Sequence, residues 1–108
     1  MIDDDAAFRG LARRILAAHG LAVCAEAGSV SSGRNRALEL RPRAALVDVG
    51  LPDGDGVELA LELAALPWAP RVILTSSDGD ACTGDEALVF VPKDELPGAP
   101  LRSLLWAD

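Results

Sequence analysis

Apolar and polar residues fall along this chain in blocks whose spacing switches between helical and extended periods. Between Ala6 and His19, the residues Phe8, Leu11, Ala12, Ile15 and Leu16 recur one helical turn apart, which predicts an amphipathic helix with one apolar stripe, stopped by Gly20. Leu21 to Ala27 (LAVCAEA) reads as a strand, with Cys24 as a small core residue. Gly28 to Ser32 is a turn, and a short helix from Ser32 to Leu40 is closed by Pro42. Ala44-Ala45-Leu46-Val47 then runs straight into Asp48, a continuous apolar run of the kind that forms a strand buried on both faces. A Gly- and Pro-rich turn follows, and Val57 to Leu66 predicts a helix with Val57, Ala60, Leu61, Ala64 and Ala65 on one side, ended by Pro67 and Pro70. Arg71 to Thr75 (RVILT) is a further strand, Ser76 to Glu86 a polar stretch of weak helical character, and Ala87 to Val91 (ALVFV) the last strand. Pro97 to Trp106 forms a final short helix, with Pro97 near its first turn.

Alternating helices and continuous apolar strands imply a parallel sheet covered on both faces, with right-handed crossovers. The 108 residues suit one domain, spanning 1–108, and the 50% apolar content suffices for a core at this size. No repeat or low-complexity linker interrupts it. The net charge of −7 argues against direct nucleic acid binding, which needs a basic footprint. The early arginines, Arg9, Arg13, Arg14, Arg34, Arg36, Arg41 and Arg43, read as solvated helix faces before a docking edge. Cys24 and Cys82 show no metal or disulfide spacing, and the one histidine, His19, reads as a surface residue favoured at a helix C-terminus. With no apolar run long enough for a membrane span and no signal peptide, a soluble cytoplasmic protein is the expectation.

Chemistry enters through the strand ends. Open parallel sheets place their ligand sites at the C-terminal edge of the strands. Asp3 and Asp4 end the first extended segment, Asp48 the third, Thr75 the fourth and Lys93 the fifth. Taken singly, each has a plain structural explanation. Asp3-Asp4-Asp5 is either a solvated N-terminus whose Asp5 caps the next helix or part of a divalent cation site. Thr75 suits strand filler, Phe90 core, Lys93 a solvated strand end, and Gly50, Gly54 and Gly56 the turn. Their joint placement on one edge is what calls for a functional account.

Ile2-Asp3-Asp4, the segment Leu46-Val47-Asp48-Val49-Gly50-Leu51-Pro52-Asp53-Gly54-Asp55-Gly56, Val72-Ile73-Leu74-Thr75-Ser76 and Phe90-Val91-Pro92-Lys93 together resemble the receiver domain of bacterial two-component response regulators. The resemblance spans nearly the whole chain. It implies a flavodoxin-like (βα)5 doubly wound parallel sheet of strand order 2-1-3-4-5. It implies that Asp48 accepts a phosphoryl group from a sensor histidine kinase and that a protein-interaction surface then switches. It implies Mg2+ held by Asp4, Asp48 and the Gly50 carbonyl, with Asp3 acting through water. Thr75 would hydrogen-bond the aspartyl phosphate, Lys93 would pair with a phosphoryl oxygen, and Phe90 would turn inward as Thr75 moves. Ser76 matches the family's small residue beside Thr75, and Gly50 and Ser77 fall where the family tunes phosphoryl lifetime. Such a protein is no enzyme beyond its own self-catalysed phosphorylation and dephosphorylation.

The chain also departs from that pattern. Only Met1-Ile2 precede the acidic pair, so the first strand is truncated and a gap is expected in the sheet, filled by upstream residues or by a segment swapped within a homodimer. The fourth helix region, between Thr75 and Lys93, is shortened, and Pro92 precedes Lys93 where the family usually places proline after it. No effector domain follows, so the downstream partner lies outside this chain, which reads as a stand-alone receiver or a fragment. Two other functions compete: a degenerate receiver that binds protein without phosphorylation, and a Mg2+-dependent phosphotransferase or phosphatase with an aspartyl nucleophile. The latter would want an acid two residues past the nucleophile, where this chain has Gly50.

Overall fold

The run Ala44–Asp48 forms β1 and sits at the middle of the molecule, its last four residues buried. The computed structural model describes residues 1–77 and 88–106. In chain order the elements are α1 (Ala6–Ala18), α2 (Val30–Leu40), β1, the short strands β2 (Gly50–Leu51) and β3 (Gly54–Asp55), α3 (Gly56–Ala64), β4 (Arg71–Ser76), β5 (Val89–Pro92), a 3-10 turn at Lys93–Gly98 and α4 (Leu101–Trp106). The main sheet is parallel, in the order β1-β4-β5, with Asp48 opposite Thr75 and Thr75 opposite Val91. β2 and β3 form a separate antiparallel pair.

Strand alternation sends successive side chains to opposite faces, so an unbroken apolar strand needs cover on both. Leu46, Ile73 and Val91 pack with Phe8, Ala12 and Leu16 of α1 and with Leu101 and Leu105 of α4. Ala45, Val47, Val72 and Leu74 pack on the other face with Ala37 of α2 and Leu59, Ala60 and Leu63 of α3. This is the doubly wound α/β arrangement. Polar side chains start the helices: Asp5 accepts from the N–H groups of Ala7 and Phe8, Ser29 from Ser32, and Asp55 from Val57. α2 stops at Arg41, whose left-handed backbone precedes Pro42.

Several expectations are corrected. Leu21 to Ala27 does not form a strand: only Ala27 pairs, through a single parallel bridge to Ile2, which also bridges Val47. The reason is the missing partner. Met1 and Ile2 supply two residues of ladder, and among the described residues no strand lies beside residues 22–24 to bond them. The full 2-1-3-4-5 sheet is therefore not realised as five strands; its last three positions are β4's sheet, and Ala27 and Ile2 stand as single bridges at the first two. Cys24, expected in the core, is exposed for the same reason.

In α1, Leu11 is 47% exposed, and Phe8, Ala12 and Leu16 carry the contact. α3 buries Gly56, Leu59, Ala60 and Leu63 and leaves Leu61 exposed, so its apolar face is turned from the expected one. The cap at Asp55 sets the first helical residue at Gly56, and that phase selects the face. α4 begins at Leu101, because Pro97 lies inside the 3-10 turn. The shortened fourth helix region and Cys82 lie outside the described residues. No helix among the described residues is long and apolar enough to cross a membrane.

Candidate functional site

The two residues before the acidic pair are sewn into the sheet. Ile2 donates to the Leu46 carbonyl and accepts from the Asp48 N–H, both at 2.8 Å, and Asp3 donates to the Ala27 carbonyl at 2.9 Å. These bonds carry Asp3 to the end of β1, beside Asp48. Asp3 is only 1% exposed although charged. Its Oδ1 accepts from the Asp5 N–H at 2.8 Å, while its buried Oδ2 pairs with the Lys93 ammonium, 2.8 Å away. Lys93 follows β5 directly and also lies 3.7 Å from Asp48 Oδ2. One amine thus bridges two carboxylates.

Asp4 is exposed and completes the acidic group: one carboxylate oxygen each from Asp3, Asp4 and Asp48 lies within 4.8 Å of the others. Burial and the neighbouring Asp3 raise the Asp48 pKa above its ordinary value, against the opposing pull of Lys93 and the Gly50 N–H. A resting site that crowds three carboxylates around a single ammonium is suited to a hard divalent cation, which prefers oxygen ligands. The donor set fits Mg2+.

The turn after Asp48 is held tightly. The Val49 N–H donates to the Thr75 carbonyl and the Gly56 N–H to the Val49 carbonyl, each at 2.9 Å. A Cβ at position 56 would stand 1.8 Å from the Asp48 carbonyl oxygen, so only glycine fits this approach. Thr75 is buried in register with Asp48, and Ser76 is buried next to it. Gly50 lies on the exposed side of β2. Phe90 pairs with Leu74 and is half-buried against the α2–α3 core cluster, so it is not among the residues gathered around Lys93. His19 caps α1 at the surface, its Nε2 3.4 Å from the Pro97 carbonyl.

Three contributors were not legible as such in the sequence. Phe8, read as core, also lies under Lys93 Nζ, 4.3 Å from the ring centroid, a contact that helps hold the ammonium at the site. Arg9, read as a solvated face, hydrogen-bonds the Asp3 carbonyl and pairs with Glu26. Asp53, quoted only as part of the turn, accepts from the Val30 and Ser31 N–H groups at 2.7 and 3.1 Å and pins the turn to the start of α2. Each spans a distance along the chain that no local spacing rule covers; only the Asp at a turn flanked by glycines carries a signal, that of a side chain seeking nearby backbone donors.

Comparison with known proteins identifies the family and the fold. The family model described as the response regulator receiver domain matches residues 1–95. The chain is 38% identical over 100 residues to the DNA-binding transcriptional activator DevR/DosR of Mycobacterium tuberculosis, covering 87% of this chain and 46% of that protein. It is 32% identical over 76 residues to the KDP operon transcriptional regulatory protein KdpE of Escherichia coli, covering 70% of this chain and 33% of that one. The chain thus spans less than half the length of these curated relatives. Among solved structures, a putative response regulator from Chloroflexus aurantiacus superposes with a TM-score of 0.78 at 22% identity, covering 95% of this chain and 92% of that one.

Proposed function

Because the chain belongs to the response regulator receiver domain family, we propose that it is a phosphorylation-dependent switch of a two-component system, with Asp48 as the acceptor. The observation that carries this reading is the cluster of Asp3, Asp4 and Asp48 with Lys93 bridging two of them at the strand edge. An Asp48 carboxylate oxygen attacks the phosphorus of a phosphohistidine on a sensor kinase. The O–P bond forms as the P–N bond breaks, and the imidazole nitrogen keeps the bonding pair.

Negative charge on both reactants opposes this step, and the site's residues answer it. Asp4, Asp48 and the Gly50 carbonyl would hold Mg2+, with Asp3 acting through water, and the bound ion supplies charge neutralisation at the phosphoryl oxygens. Lys93 rests 2.8 Å from Asp3 and 3.7 Å from Asp48, so a short swing puts its ammonium on a phosphoryl oxygen carried by Asp48. The Thr75 hydroxyl, level with Asp48 on the next strand, hydrogen-bonds the phosphoryl group. Its movement frees space for Phe90 to turn inward, and that change is read by a downstream protein or effector domain outside this chain. The protein is not an enzyme in the ordinary sense: its chemistry is confined to the loading and hydrolysis of its own Asp48. A kinase partner of this kind implies a cytoplasmic location.

The test is incubation with Mg2+ and acetyl phosphate followed by intact mass measurement. The expected result is a phosphate adduct that disappears in Asp48→Asn. An unmodified wild type would refute phosphotransfer and leave the competing reading, a receiver that binds partners without phosphorylation, which the incomplete first strand favours. Turnover of many phosphate esters would point instead to a phosphatase.

A further inference from the structure

Lys93 is the one lysine in the chain, and it has several carboxylates to choose from. Asp94 and Glu95 follow it directly in the same 3-10 turn and are exposed. A flexible four-carbon stem has no preference of its own for Asp3 and Asp48 over these. Something selects the inward position, because the ammonium lies 2.8 Å from Asp3 and 3.7 Å from Asp48, with the side chain only 16% exposed.

The selecting contact comes from α1. Phe8 stands in the first turn of that helix, 9% exposed, and Lys93 Nζ lies 4.3 Å from its ring centroid. Phe8 is itself fixed from two sides. Its backbone N–H donates to Asp5 Oδ1 at 3.2 Å, and the Asp5 N–H donates to Asp3 Oδ1 at 2.8 Å. Its ring packs in the core with Leu46, Ile73, Val91 and Leu96. The contacts close a circuit: Asp3 to Asp5, Asp5 to Phe8, Phe8 to Lys93, and Lys93 back to Asp3. The acidic turn that binds the ammonium thus also holds the ring beneath it.

A ring face attracts a cation through its quadrupole and imposes no single hydrogen-bond direction. An ammonium resting on it can exchange one oxygen partner for another while the contact persists. The compact, rotatable head of lysine suits such an exchange, where the planar fork of arginine does not.

We infer that Phe8 is a positioning residue for Lys93: its ring holds the ammonium over the site and guides its passage from Asp3 to a phosphoryl oxygen on Asp48. This role rests on the phosphotransfer reading above and adds to it a residue that acts only through Lys93.

Labelling of the full chain by acetyl phosphate with Mg2+, read as adduct mass against time, tests it. Phe8→Leu keeps an apolar side chain but removes the ring, and should slow labelling about fivefold. A phenylalanine with a fully fluorinated ring, placed at position 8 alone, keeps the shape and reverses the ring's charge distribution, and should slow labelling at least as much. In Lys93→Gln, which has no ammonium to hold, Phe8→Leu should cause no further slowing. A second readout needs no phosphotransfer. With isotopically labelled lysine the chain gives one ε-methylene NMR signal, which the ring should shift upfield in the wild type and which should return to the ordinary lysine position in Phe8→Leu. Equal slowing by Phe8→Leu with and without Lys93, a fluorinated variant as fast as the wild type, or an unshifted wild-type lysine signal would overturn the inference. A wild type that takes no label would overturn the phosphotransfer reading and this role together; a wild type labelled no faster than Phe8→Leu would overturn this role alone.

Discussion

Replacing Asp48 with asparagine should make the metal-free protein more stable while abolishing its response to Mg2+. In the wild type, Asp48 is buried beside Asp3 and near Asp4, with carboxylate oxygens within 4.8 Å. At an effective dielectric constant of ~20, each such pair repels by roughly 3 kcal/mol, and a Lys93 contact at 3.7 Å returns about 4 kcal/mol. Asp4 is exposed, so its share is screened. The repulsions and the attraction nearly cancel, so the neutral amide gains chiefly by escaping the cost of burying a charge, the first cause of the raised Asp48 pKa, a net of about 1–2 kcal/mol, or roughly 5–15 °C in Tm for a domain of this size.

The pH dependence carries the same sign. Folding raises the Asp48 pKa, so its contribution is fully favourable below the unfolded carboxylate value near 4 and is lost as pH rises through the folded value. Thermal melts at pH 7 and low salt, in EDTA and in excess Mg2+, measure both effects. Mg2+ at ten times its dissociation constant should stabilise the wild type by about 1.4 kcal/mol and the variant hardly at all. A variant that melts below the wild type in EDTA, or equal Mg2+ shifts in both proteins, would refute the reasoning.

Gly56→Ala should destabilise by more than about 3 kcal/mol in urea unfolding, because its Cβ would meet the Asp48 carbonyl oxygen at 1.8 Å; Gly10→Ala, with open space at the Cβ in α1, should stabilise by up to about 1 kcal/mol. Lys93→Gln should slow acetyl phosphate labelling of Asp48 by ~100-fold, read as adduct mass against time, since one preorganised cation at developing charge is worth that much. Asp53→Asn should flatten the loss of stability on the acid side: its folded pKa is depressed by the Val30 and Ser31 N–H groups, so its contribution is present above pH ~4 and disappears as pH falls through the folded value. Urea midpoints from pH 2 to pH 6 measure this, and parallel curves for the two proteins would count against the clamp.

Much of the framework was legible because it is local. The unbroken run ending at Asp48, the RVILT strand and the helix from Ala6 all follow from spacing within a few residues, and each lies within a residue or so of its expected bounds. The gathering of Asp3, Asp4, Asp48 and Lys93 at the strand ends was legible too, since parallel strands share one C-terminal edge. Other features depended on what each segment meets in three dimensions. LAVCAEA has strand composition, yet a strand exists only through its neighbour's backbone, and Met1-Ile2 reach no further than Ala25. The buried face of α3 was decided by the phase at Asp55. That Lys93 leans first on Asp3, that Phe8 lies beneath it and that Asp53 reaches across to α2 are contacts between residues far apart in the chain. Periodicity determines which residues seek burial and which carry charge; only packing decides which of them meet, because each long-range contact is chosen against every other partner the folded chain could offer.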